Sequence, residues 1–136
     1  MKQSAINKLW EQEFDSNVGV ITLLACPYNL SLERKKIEKL FLELSFIKSL
    51  DKNLFQYPAT LETRFNKKTA KLNIWFLGFK PGLLGDNRGI TKGEWRKITN
   101  KITKILQKFG IGGMYIENWD DKKKFEARCE ILITIK

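Results

Sequence analysis

Lys97, Lys101, Lys104 and Lys108 recur at i, i+4, i+7 and i+11 within TKGEWRKITNKITKILQKFG, residues 91–110. On an α-helix this spacing gathers four ammonium groups into one narrow strip. A row of ammonium groups performs no covalent chemistry; it neutralises a polyanion. Six basic residues in the stretch face a single acid, Glu94. Like charges at i,i+4 repel by a few tenths of a kcal/mol per pair. Interspersed glutamates usually relieve that repulsion, as in ERKKIEKLFLE at 33–43, yet none follows Glu94 in this stretch. Thr99, Asn100, Thr103 and Gln107 fill the rest of the polar surface and suit hydrogen bonding to phosphate oxygens. The same pattern also fits the bland alternative, a lysine-rich helix face kept in water.

The distribution of charge separates the two readings. The chain carries 25 Lys and Arg against 15 Asp and Glu, a net charge of +10. Residues 1–63 hold eight of each sign and residues 109–136 hold five of each, so both flanks are neutral. Between Arg64 and Lys108 there are 12 basic residues against Asp86 and Glu94. A compositional bias toward lysine raises it everywhere and does not leave the flanks balanced. Concentration in one third of the chain points to an anionic partner. Lysine far exceeds arginine, and guanine is read by bidentate arginine, so the expected contact is with the backbone and tolerant of sequence.

Two further segments extend the candidate contacts. RFNKKTAK contributes Arg64, Lys67, Lys68 and Lys71 at the tip of an expected hairpin, where a charged solvated turn is the plain alternative. KPGLLGDNRG supplies Lys80, Arg88 and glycine amides next to a helix N-terminus, a natural place for an anion, with Lys92 following as a further candidate. No G-K-[ST] follows, so this is not a P-loop. Trp75 and Phe79 share one parity of a strand, and Tyr115 and Trp119 share one parity of another; on an open sheet face they could stack bases. Core packing or a dimer interface is the competing role.

Much enzymology is closed off. The chain has no histidine and two cysteines, Cys26 and Cys129. This removes Ser-His and Cys-His catalysis, the usual Cys/His zinc site and a disulfide framework. Asp86, Glu117, Asp120 and Asp121 are the carboxylates a metal nuclease would have to bring together, but DD at 120–121 sits in WDDKKK, an ordinary hairpin turn by composition. No catalytic residue, metal site or cofactor is therefore assigned, and a non-enzymatic role is expected.

These groups need a scaffold. Residues 4–14 are expected to form an amphipathic helix through Ile6, Leu9, Trp10 and Phe14. Val18 to Cys26 is apolar on both parities, as in a strand buried on both faces. Ser31 is placed to cap a helix through about Leu50, with Ile37, Leu40, Phe41, Leu44 and Ile47 inward. TLETRF and KLNIWFLGF flank a hairpin, and Thr91 and Glu94 form a T-x-x-E capping box that opens the lysine helix. MYIENW and KFEARCEILITIK make a last hairpin whose final strand alternates apolar and polar. After the leading helix the order is β-α-β-β-α-β-β, predicting one α+β domain of 136 residues: a ferredoxin-like βαββαβ sheet with an extra C-terminal strand, both helices on one face. The other face is open, or pairs two copies in a homodimer. No apolar run approaches the roughly 20 residues of a membrane helix, and no signal peptide is evident, so a cytoplasmic protein without a membrane partner is expected.

The expected function is nucleic-acid binding with little sequence preference, DNA or RNA, through Lys97, Lys101, Lys104 and Lys108. The alternative is a protein-binding inhibitor or adaptor that docks an acidic protein through the same basic surface.

Overall fold

KFEARCEILITI and TAKLNIWFLGF alternate apolar and polar residues over most of their length, and together they build the middle of the sheet. A computed structural model describes residues 21–25, 30–83, 87–117 and 124–136. Its elements are β1 (Ile21–Ala25), β2 (Ser31–Leu32), α1 (Arg34–Leu44), β3 (Thr60–Phe65), β4 (Thr69–Phe79), α2 (Lys92–Lys108), β5 (Gly113–Glu117) and β6 (Lys124–Ile135). β4 and β6 pair antiparallel without a break from Thr69↔Thr134 to Phe79↔Lys124. Ala70, Leu72, Ile74 and Phe76 of β4, with Ala127, Cys129, Ile131 and Ile133 of β6, are all fully buried on one side. Two helices lie on that side: Ile37, Leu40 and Leu44 of α1 and Trp95, Ile102 and Leu106 of α2 join the same core cluster.

The strand order is β3-β4-β6-β1-β5, with β2 pairing beside the end of β6. The fold is thus α+β, a mixed sheet with two helices, but the order differs from that of a βαββαβ sheet. In that arrangement β4 would lie directly against β1. Instead the C-terminal strand separates them, antiparallel to β4 and parallel to β1. In this position both edges of β6 find backbone partners, the whole of β4 on one side and β1 and β2 on the other. Cys129 is fully buried in this strand, while Cys26 lies outside the described residues. The expected N-terminal helix over 4–14 lies outside them too.

The first described helix corrects the sequence reading at both ends. Ser31 belongs to β2, where Ser31 and Leu32 pair with Thr134 and Ile135. Glu33 takes the N-cap position without a side-chain cap, and α1 stops at Leu44, continuing as a tighter 3-10 segment over Ser45–Ser49. Phe55, in the expected loop, is 1% exposed and bridges Gly78 beside Phe76.

α2 follows its sequence signals closely. The Thr91 hydroxyl accepts from the Glu94 amide at 3.1 Å, and the Glu94 carboxylate accepts from the Thr91 amide at 3.0 Å, closing the capping box. Ile90 and Trp95, both fully buried, occupy the two positions of a hydrophobic staple. At the other end the Ile111 amide donates to the Leu106 carbonyl and the Gly110 amide to that of Gln107, with Gly110 at φ 79°. This is a Schellman closure, which a left-handed glycine permits.

The opposite face of β3, β4 and β6 is mostly polar and paired to itself, with Leu132 left 62% exposed. Across it Arg64 faces Lys71, Glu62 faces Asn73 and Thr60 faces Trp75. Lys71 meets Glu130 at 2.6 Å, Arg128 meets Glu126 at 3.0 Å, and the Trp75 indole N–H donates to the same Glu126 carboxylate at 2.5 Å. Tyr57, half-exposed, stacks on Trp75 at 6.3 Å.

Candidate nucleic-acid interface

The lysine strip depends on how α2 is seated. Trp95, Ile98, Ile102, Ile105 and Leu106 are buried, and Trp95 meets Phe76 edge-on at 5.1 Å. That contact fixes the rotation of the helix over β4, and the four lysines, about 180–240° around the axis from Trp95, are turned to solvent. Lys97, Lys101, Lys104 and Lys108 are all exposed. Thr99 departs from the expected polar face: it is 2% exposed, and its hydroxyl donates back to the Trp95 and Arg96 carbonyls. Arg96, Asn100 and Gln107 remain as the exposed neighbours of the strip.

The four lysines do not share one environment. Among the described residues no carboxylate lies within ion-pair reach of Lys97 or Lys104. Lys101 places its ammonium 4.2 Å from the centre of the Phe46 ring, a cation–π contact that leaves the charge in place. Lys108 pairs with Glu43 of α1 at 2.5 Å. It also lies in the last turn, where the helix dipole favours a cation. Among the described residues, three of the four charges therefore have no carboxylate partner. From Lys97 to Lys104 they extend over about 10 Å at 1.5 Å per residue.

The other expected contacts divide between two ends of the molecule. Lys67 and Lys68 form the exposed turn between β3 and β4, closed by the Asn66 amide donating to the Thr69 carbonyl. That turn lies at the sheet end where α1 begins: the Ile135 amide donates to the Lys68 carbonyl, and the Lys136 amide to that of Leu32. Arg34 sits over Phe65 at 4.2 Å at the same end. Arg88 and Lys92 sit at the far end, where β4 finishes, about 33 Å away along an 11-residue strand. The Arg88 guanidinium lies 6.0 Å from the centre of the Phe79 ring. Arg64 belongs to neither group, since it projects on the open sheet face beside Lys71.

The glycine loop is engaged internally. The Gly82 amide donates to the Arg88 carbonyl and the Gly89 amide to that of Asn53. Neither amide is available to cradle a phosphate. Of the aromatic candidates, Trp75 is on the open face and Phe79 is 1% exposed in the core; Trp119 lies outside the described residues. Asp86, Asp120 and Asp121 lie outside them as well, and among the described residues no three Asp, Glu, Cys or His side chains gather as metal ligands. No helix among the described residues is long and apolar enough to cross a membrane.

Lys36 and Lys39 escaped sequence reasoning. With Lys108, Glu43, Leu32 and Phe109 they line a depression of about 330 Å³ between α1 and the end of α2. In sequence they belong to a segment balanced by glutamates. The signal that could have found them is helical phase: Lys36, Lys39 and Glu43 fall on one flank of α1, the flank facing α2.

No protein-family model matches the chain, and comparison with curated proteins and with solved structures finds no match.

Proposed function

We propose that this protein binds nucleic acid through the phosphate backbone, with little sequence preference, using the exposed strip of α2. The observation that carries this reading is the exposure of Lys97 and Lys104 with no carboxylate partner among the described residues. Three close lysine pairs along one helix cost roughly 1 kcal/mol together, and among the described residues only Glu43 relieves them. A bound phosphate chain removes that repulsion. We read the scaffold as a ferredoxin-like sheet opened to receive β6, with α2 presented on its covered face.

A gel-shift series with single- and double-stranded DNA and RNA at rising salt tests the proposal. Binding that weakens about fortyfold between 50 and 200 mM salt matches three phosphate contacts, those of Lys97, Lys101 and Lys104, with Lys108 held by Glu43. The double variant Lys101→Glu/Lys104→Glu should abolish it. Unchanged binding by that variant removes the assignment.

One observation favours a protein partner instead. Leu42, on the outward side of α1, is 72% exposed, and a phosphate chain offers nothing to a leucine side chain. If no nucleic acid binds, docking to an acidic protein becomes the leading reading.

A further inference from the structure

We infer that the depression between α1 and the end of α2 is a second phosphate seat, held by Lys36, Lys39 and Lys108, and that Glu43 restrains it. The inference rests on the nucleic-acid reading above and deepens it by naming a new contact and the residue that limits its strength. Three ammonium groups and one carboxylate line the depression, leaving a local excess of two positive charges. Among the described residues neither Lys36 nor Lys39 has an ion-pair partner. Leu32 and Phe109 supply an apolar floor, so the cations stand around a cleft rather than on a flat surface. A diester phosphate carries one negative charge and two acceptor oxygens, enough for two lysines at once.

Glu43 is the discordant residue. Its Oε1 accepts from Lys108, while its Oε2 is buried without a hydrogen-bond partner. A carboxylate oxygen left unpaired away from water is costly, so the contact is a poor tie between the helices. It does hold Lys108, the end of the α2 strip, away from an incoming anion. Phosphate and Glu43 compete for the same ammonium group. The seat joins the α2 strip to the Lys67–Lys68 turn, so one strand running along α2 would pass over it at the Lys108 end.

The test is fluorescence anisotropy with a labelled 20-nucleotide RNA and the matching duplex, at several salt concentrations, on the whole chain. Glu43→Gln keeps the side-chain shape and removes the charge. It should tighten duplex binding by up to about eightfold at 0.1 M salt and steepen the salt slope by about 0.9, the contribution of one further phosphate contact. Lys36→Ala/Lys39→Ala changes only exposed side chains and should weaken binding and flatten the slope. If the wild type binds and the α2 variant fails, yet both groove variants match the wild type, the seat is refuted and the α2 reading stands. If Glu43→Gln instead loses stability with no gain in affinity, Glu43 is only a structural tie. If the wild type binds neither probe, both proposals fall.

Discussion

Replacing Trp95 with alanine tests whether α2 is seated as described, because that seat decides which way the lysines point. Trp95 is fully buried, staples the first turn with Ile90, and meets Phe76 edge-on. A tryptophan buries about 150–250 Å², worth about 4–6 kcal/mol at 25 cal/mol per Å². The retained Cβ and partial collapse reduce this, and measured losses for aromatic-to-alanine changes are about 3–5 kcal/mol. We expect about 4 kcal/mol. With a urea slope of about 1.5 kcal/mol per M, the midpoint should fall by about 2.5–3 M. Trp95→Phe keeps a ring against Phe76 and should lose about 1–2 kcal/mol. Urea unfolding followed by far-UV circular dichroism measures both without relying on the missing indole. A midpoint shift below about 0.5 M for Trp95→Ala would show that the helix is not anchored through this stripe. The outward direction of Lys97 and Lys104 would then lose its basis.

Gly89→Ala should destabilise the protein far more than Gly110→Ala, although both glycines have positive φ, 124° and 79°. A Cβ on Gly89 would come within 2.6 Å of the Pro81 Cα, whereas one on Gly110 meets nothing within 4 Å. Thermal melts should place Gly110→Ala about 1 kcal/mol below wild type and Gly89→Ala well beyond it. Arg64→Glu should leave nucleic-acid affinity within about twofold, since this side chain projects on the sheet face away from α2 and distant exposed charges are screened. A large loss in the same anisotropy assay would move the contact surface to the open face.

Short-range signals gave the parts of the fold that sequence could give. The T-x-x-E box, the Trp95-to-Leu106 stripe and the FG stop fixed α2 within a residue or two of its observed bounds, because each is a local interaction. The same holds for the alternation of β6 and for the β3–β4 hairpin, although β4 begins two residues early, at Thr69, and shortens the turn. Strand order was not legible. Whether β6 lies at an edge or between β4 and β1 depends on pairing over long sequence separation, which periodicity does not encode. Ser31 was misread because a hydroxyl ahead of a helix looks like a cap whether or not the backbone has been drawn into a sheet.

The basic surface was legible only in part. Helical phase along α2 predicted the strip, and its residues are exposed together. Counting charge by sequence segment hid Lys36 and Lys39, whose neighbouring glutamates balance them along the chain but not in space. It also grouped Arg64 with the strip, whereas that residue sits on the other sheet face; Lys92 opens α2 itself, with Arg88 just ahead of it.

The central claim is most directly tested by the salt dependence of binding for Lys97→Ala/Lys104→Ala beside the wild type. Removing two phosphate contacts should flatten the plot of log K against log salt by about 1.8 on duplex nucleic acid and weaken binding by roughly 60-fold at 0.1 M salt. Parallel lines of equal affinity would contradict the account, since two lysines without carboxylate partners among the described residues would then carry no share of the binding.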